Sequence, residues 1–308
     1  AIAGQLERVR TGIDTWFSEA SLHADGRVEA GIDALVDSGD AYEKDDALWF
    51  ATSRYGDEKD RVLRRSDGDT TYLAADVAYH LDKAARGSDR LITVLGADHH
   101  GYIARLRAIL AAGGHDPEML EVPLVQLVSL LEGGEAAKMS KRAGTVVTLQ
   151  DLVEDIGVDA ARFFLVQRSH ETPFDLDLRL AREQSRENPV YYVQYAHART
   201  HGILAQLDDP QITADEAPAE LDAAERAVAI RLTEWPAAVA EAAEKRAPHR
   251  VAAYLMELAG EFHAFYHRCR VKDEPLPVQA FRATLTRGSA AVIAAGLDLL
   301  AVEAPDRM

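Results

Sequence analysis

The sequence predicts an α/β region followed by an all-α region, and two observations carry that reading. Arg90 to Leu95 (RLITVL) is an apolar, β-prone run, followed by the loop Gly96 to Gly101 and a helical pattern from Tyr102 to Ala112. A strand, loop and helix in that order place loop residues at the carboxyl end of a parallel strand, where open α/β sheets bind their ligands. From Leu149 onward the texture changes: helical periodicities lengthen, β-prone runs become few, and prolines fall at 173, 189, 210 and 218. A chain of 308 residues has room for two domains or one large one, and its 47% hydrophobic content suits a soluble globular protein.

The elements follow in order. The opening GQLERVRTGIDTWFSEASLH reads as a helix already under way that leads into an extended, aromatic-containing stretch, so the chain is expected to begin inside a larger protein. From Arg27 to Ser38, Val28, Ile32, Leu35 and Val36 recur at helical spacing, and Gly39 supplies a stop. Leu48 to Ser53 (LWFATS) and Arg61 to Ser66 (RVLRRS) flank a polar turn and predict a hairpin. After a turn at Asp67, Gly68 and Asp69, Thr70 to Leu73 is expected to be extended and Asp76 to Ala85 helical. Val122 to Leu131 is a further apolar stretch that runs into a lysine-flanked loop. Four helices are predicted toward the end, Val190 to Leu207, Glu220 to Ala242, Pro248 to Lys272 and Val278 to Val302, with a kink or break at Pro236.

Charge narrows the function classes. A net charge of −17 argues against wholesale polyanion binding, because nonspecific nucleic-acid affinity comes largely from neutralised phosphates. Basic side chains nevertheless gather in two segments, Lys138 to Arg142 and Lys245 through Lys272, which form either a local nucleic-acid contact or solvated surface. The single cysteine, Cys269, excludes an intrachain disulfide and a cysteine zinc cage, and its neighbours Phe265, Tyr266 and Val271 suggest a small core residue on a helix. No apolar run approaches the roughly 20 residues of a membrane span and no signal peptide opens the chain, so a cytoplasmic protein that engages no membrane is expected.

Two constellations carry chemistry by themselves. Lys138, Met139, Ser140 and Lys141 spell KMSK, with Arg142, Ala143 and Gly144 after them. Two ammonium groups three residues apart on a glycine-flanked loop repel each other, and an anion such as a triphosphate between them relieves that repulsion; the alternative is a solvated basic loop. Asp98, His99 and His100 invite a metal reading. Adjacent histidines in a short loop rarely both face one ion, and no further cluster stands at ligand spacing, so no metal site is expected.

KMSK is one of two signature motifs of the class I aminoacyl-tRNA synthetases, and KMSKRAG resembles their arginyl branch. TYLAADVAYHLDK (Thr71 to Lys83), GADHHGY (Gly96 to Tyr102), NPVYYVQYAHAR (Asn188 to Arg199) and GLDLLAVEAPDRM (Gly296 to Met308) resemble the same family in the same order, over essentially the whole chain. The resemblance implies a partial Rossmann-type nucleotide-binding catalytic domain with a connecting insertion over residues 1–148. A linking helical region that contacts the tRNA stem over 149–187 and a helical-bundle anticodon-binding domain over 188–308 would follow. It implies ATP-dependent activation of L-arginine to arginyl-adenylate and transfer to the 3' end of arginine tRNA, with Mg2+ on the phosphates and a monomeric protein.

The site residues follow from the same resemblance. Lys138 and Lys141 would be catalytic, and with Met139, Ser140, Asp98 and His99 would bind ATP. Tyr72, Asp76 and His99 would hold arginine, with Tyr79 a further neighbour; a buried guanidinium needs a carboxylate for paired N–H bonds and a planar wall to stack on. The alternative for Asp76 is a cap on the helix that follows it. Phe262, Tyr266, Arg270 and Met308 would meet the tRNA, Phe262 and Tyr266 lying four apart on one helix face, where apolar residues otherwise belong to the core. Tyr191, Tyr192, Gln194 and Tyr195 are expected to be scaffold that joins the bundle to the catalytic part. One departure stands out: the family's His-any-Gly-His signature is absent, since His99, His100 and Gly101 occur in another order and context. The chain is therefore expected to lack the N-terminal extension and the first half of the nucleotide-binding fold, and to be inactive taken alone. A tRNA-binding remnant without catalytic competence is the alternative, and a histidine-ligated hydrolase rests on GADHHG only.

Overall fold

The computed structural model describes residues 2–136 and 148–308, so Lys138, Met139, Ser140 and Lys141 lie outside the described residues. A first helix, α1 (Ile2–Arg8), groups with the larger of two units, Ala1–Gly12 with Val128–Met308; the smaller is Ile13–Leu127. The α/β character belongs to the earlier part of the chain and the all-helical character to the later part, as the sequence predicts.

The smaller unit begins with α2 (Glu19–Ala24) and α3 (Arg27–Asp37). Val28, Ile32 and Leu35 of α3 are buried, and Gly31 lets its backbone close on the next long helix: an added Cβ there would stand 3.3 Å from Val77 Cγ1. Strands β1 (Ala41–Lys44), β2 (Ala47–Phe50) and β3 (Arg61–Arg64) form an antiparallel sheet in that order. The predicted hairpin is its β2–β3 half. The extra strand β1 has a polar texture that gave no sign, and its turn is made by Asp45 and Asp46, both with positive φ, the geometry of a tight two-residue hairpin. Helix α4 (Tyr72–Ala85) starts earlier than expected: Thr71 is its extended N-cap, so Tyr72 and Leu73 are helical.

Strands β4 (Leu91–Ile92) and β5 (Leu95–Gly96) precede α5 (Tyr102–Ala112). They pair in parallel with β6 (Leu120–Glu121) and β7 (Leu124–Val125). The expectation of one buried strand over RLITVL is corrected here. Leu91 is buried, but Ile92 and Val94 are exposed at 41% and 63%, because side chains alternate across a strand and only one face meets the core. That core joins Phe50 and Leu63 of the sheet to Val77, Ile109 and Leu120.

In the larger unit β8 (Val128–Glu132) pairs with β9 (Glu135–Ala136) and, in parallel, with β10 (Phe174–Asp177), a strand that the helical texture after Leu149 concealed. Between them lie α6 (Leu149–Ile156), started by a capping box of Thr148 and Asp151, and α7 (Val158–Val166). Then come α8 (Leu178–Arg182), α9 (Pro189–Leu204), α10 (Ala223–Glu244), α11 (His249–Arg268) and α12 (Leu276–Leu299). No described helix is long and apolar enough to cross a membrane. Of the kink or break expected at Pro236 the break is absent, since α10 continues through it as one helix. It packs on α11 beside the proline: Trp235 lies 5.1 Å from the Tyr254 ring, and the Tyr254 hydroxyl donates to the Arg231 carbonyl at 2.6 Å.

A knot of charge holds the ends of this unit. The Asp159 carboxylate of α7 accepts from Arg10 Nη1 at 2.5 Å, Gln194 Nε2 of α9 at 2.9 Å and the Glu303 backbone at 3.2 Å. Arg10 also reaches the Glu303 carboxylate at 2.6 Å, and Arg162 donates to the carbonyls of Leu300 and Val9. The segment after α12 is thereby fixed along α9.

Phe262 is corrected as a tRNA contact. It has no exposed surface and packs 5.9 Å from Phe265 inside the bundle, where helical spacing puts apolar side chains against the other helices. Cys269 is core as expected, although it caps α11 instead of standing within it. Phe262→Ala is expected to destabilise this unit by about 3 to 5 kcal/mol, read from urea unfolding followed by circular dichroism.

Candidate functional site

Helix α4 sets Tyr72 and Asp76 one turn apart on one face. Their surroundings differ: Tyr72 is 79% exposed, whereas Asp76 is half-buried. Asp76 stands in the second turn of a helix whose N-cap is Thr71, so capping does not account for it. Its carboxylate has neither hydrogen-bond nor ion-pair partner among the described residues. Burial, with Glu19 adding like charge and Arg105 opposing, pushes its pKa up to about 6. Tyr79 belongs to a different contact, its ring 5.1 Å from Phe17 with the Arg86 guanidinium 5.8 Å above it.

The loop after β5 is a short 3-10 turn that holds Asp98 and His99. The Asp98 carboxylate folds back over Gly96, where an added Cβ would stand 2.6 Å from Oδ1. Both side chains are exposed and lie 3.6 Å apart. Beneath them runs a chain of contacts: the His99 ring meets Tyr102 edge-on at 5.2 Å, and the Arg105 guanidinium covers Tyr102 at 4.5 Å. Arg105 Nε then stands 3.9 Å from Asp57. Asp57 is buried and takes Arg61 in a two-pronged grip at 2.7 Å, which holds its carboxyl below the usual range despite burial. Arg105 thus acts on Asp76 by its charge and on the His99 loop through Tyr102. Sequence reading missed Arg105, because its spacing of three from Tyr102 is ordinary on a helix.

In the helical unit the Arg199 guanidinium lies 5.1 Å from the Tyr195 ring and 4.8 Å from the Tyr266 ring. Arg199, Gln206, Tyr266, Arg268, Arg270 and Lys272 line a cleft of about 350 Å³. A second cavity of about 510 Å³ is lined by Tyr195, Arg199, His201, Asp306, Arg307 and Met308. Tyr266 and Arg270 therefore share one cleft, Met308 faces the other, and Arg199 borders both. Much of the basic segment from Lys245 is already matched by acids, Lys245 by Glu241, Arg268 by Asp222 and Arg270 by Asp273. Gln194 joins α9 to α7 as scaffold, while Tyr191 stacks on Tyr195 with ring centres 6.2 Å apart in a third cavity that also holds Tyr192 and His263. The Tyr195 to Arg199 spacing of four was the available signal for Arg199, and His197-any three-His201 was the signal for a grouping of His197, His201 and Asp306 that sequence reading passed over.

Residues 8–176 match the family described as tRNA synthetases class I (R), catalytic domain, and residues 193–308 match the DALR anticodon binding domain. The chain is 48% identical over 312 residues to an arginine--tRNA ligase from Shouchella clausii and 47% identical over 313 residues to one from Carboxydothermus hydrogenoformans. Each alignment covers 100% of this chain and 56% of the relative, so the chain spans just over half the length of these curated relatives. A crystal structure from Campylobacter jejuni, assigned as an arginyl t-RNA synthetase, superposes with a TM-score of 0.91 at 35% identity, covering 100% of this chain and 67% of that one.

The raised pKa of Asp76 has a stability consequence with a definite sign. Between its ordinary value near 4 and about 6, the folded chain keeps a proton that the unfolded chain has released, so this group lowers stability progressively as pH rises through that window. Asp76→Asn is expected to flatten the decline and to add about 2 kcal/mol at pH 7, allowing for partial solvent screening, as read from urea midpoints between pH 4 and 8.

Proposed function

The chain belongs to the arginyl-tRNA synthetase family of class I, and from that footing we propose that it carries arginine selection and nucleotide handling in an enzyme that activates L-arginine with ATP and loads it onto arginine tRNA. The observation that carries the reading is Asp76: a half-buried carboxylate with no partner among the described residues, on a helix inside the stretch that matches the catalytic-domain family. A guanidinium supplies what that group lacks, a fixed cation with paired donors. Tyr72, exposed one turn away, offers the planar wall.

In the proposed reaction the arginine carboxylate attacks the α-phosphorus of ATP in line and pyrophosphate leaves. A terminal ribose hydroxyl of the tRNA then takes the arginyl group, and AMP departs. No side chain becomes covalently attached, so the protein's work is positioning and stabilisation of phosphate charge. Lys138 and Lys141, with Met139 and Ser140, are assigned to the triphosphate, and Asp98 and His99 to the nucleotide and the amino acid. Mg2+ enters as the counter-ion of ATP, hence as part of the substrate. Tyr266, Arg270 and Met308, now with Arg199, are assigned to the tRNA, their aromatic faces for bases and their cations for phosphates. We assign 1–148 to catalysis, 149–187 to the stem contact and 188–308 to the anticodon, in a monomer acting in the cytoplasm.

Arginine binding to this chain at pH 6 is expected to release protons, because a guanidinium beside Asp76 drives its carboxyl to ionise. Calorimetry in buffers of different ionisation enthalpy reads the release, and arginine binding with no proton exchange would remove Asp76 from the pocket. In the enzyme of full family length, Lys141→Ala is expected to slow arginine-dependent ATP–pyrophosphate exchange by about 100- to 1000-fold. Arginine affinity should barely change, and equal loss of both would count against the phosphate role.

A further inference from the structure

Helix α9 presents His197 and His201 one turn apart, with ring centres 4.7 Å from each other. The segment after α12 brings Pro305 and Asp306 to the same point. The Pro305 carbonyl lies 2.9 Å from His197 Nδ1, and Asp306 Oδ1 lies 3.4 Å from His201 Nε2. One ligand atom from each of the three side chains falls within 4.8 Å of the other two. We propose that His197, His201 and Asp306 form a binding site for a divalent transition cation of the zinc class, which fastens the C-terminal segment to α9.

Three features support the assignment. The first is distance: bonds of about 2.0 to 2.1 Å in a tetrahedron separate ligand atoms by roughly 3.4 Å, the spacing His201 and Asp306 already have. The remaining gap is closed by side-chain rotation, since the side chains of His201 and Asp306 are 41% and 71% exposed. The second is the tautomer. A carbonyl only accepts, so His197 must carry its proton on Nδ1 and keep the lone pair on Nε2, the arrangement in which a backbone carbonyl orients a metal-binding imidazole. The third is the donor set, since two imidazoles and one carboxylate suit zinc-class ions and disfavour magnesium and calcium, which prefer oxygen ligands throughout.

Three protein ligands leave a coordination position for water on the side of the cavity that His201 and Asp306 line. Arg199 and Arg307 border that cavity and would oppose a cation there. Arg199 keeps its charge against the Tyr195 and Tyr266 rings, so the Asp306 carboxylate must offset that repulsion for a cation to bind. A simple ion pair between His201 and Asp306, with His197 held to the Pro305 carbonyl, would explain these contacts but would not call on the Nε2 lone pair of His197.

The test is titration of the chelator-treated chain with Zn2+ by calorimetry, and with Co2+ by visible absorption. One equivalent is expected, with Kd weakened at least about 10-fold in His201→Ala and in Asp306→Asn and retained in the double variant His99→Ala, His100→Ala. Both single variants sit at exposed positions, and circular dichroism verifies their folding. No saturable binding up to about 1 mM, the weakest affinity worth calling a site, would overturn the proposal. So would binding that is equal in the wild type and both single variants, or binding lost with His99 and His100.

Discussion

The Asp159 carboxylate is the point on which the C-terminal segment of the helical unit hangs. It gathers three donors from remote parts of the chain, the Arg10 guanidinium, the Gln194 amide and the Glu303 backbone. Charge-assisted bonds of this kind are roughly twice as strong as neutral ones, and Arg10 meets them from a positive φ of 54° where α1 ends, the Thr11 N–H closing on the Leu6 carbonyl. With Glu303 fixed, the register of the last residues follows: Pro305 meets His197, Asp306 meets His201, and Met308 faces the cavity beside Tyr195 and Arg199. One helix, α9, therefore serves three neighbours. Val193 and Ala196 face the core, Gln194 and His197 hold the tail, and Tyr195 with Arg199, both half-buried, lines the cavity.

The smaller unit shows two acids treated in opposite ways. Asp57 is almost fully buried but satisfied, since Arg61 grips it with two bonds and Thr52 and the Glu58 backbone add further donors. Asp76 is half-buried with no partner among the described residues, and burial raises the pKa of its carboxyl. A satisfied carboxylate braces structure, whereas an unsatisfied one is poised to gain from a cation that arrives from outside. Arg105 lies between these roles: it stands near Asp57, bears on Asp76 by charge, and supports the His99 loop by lying over Tyr102.

Burial separates the aromatic groups of α11 in a similar way. Phe262 and Tyr266 are one turn apart, yet the former is sealed in the core and the latter borders a cleft with Arg199 and Arg270. The hydroxyl-bearing ring sits where one face is wet, and the purely apolar ring where none is, as the cost of burying a polar atom requires.

By itself the sequence determined the order of an α/β part and a helical part, the extents of most long helices, and the motifs that place the chain in its family. These are local properties, since periodicity, caps and breakers act within a few residues and survive in the linear code. Only the tertiary structure decided which face of each element is buried and which distant groups meet. It moved the start of α4 back to Tyr72, exposed half of RLITVL, revealed β10 within a helical texture, carried α10 through Pro236, and withdrew Phe262 from the surface. It also joined Arg10 to Glu303, Arg105 to Asp57 and Asp306 to His201, pairs that no spacing rule connects. The physical reason is that desolvation and Coulomb energy depend on distance in space, and the fold alone brings residues so far apart in sequence within a few ångströms.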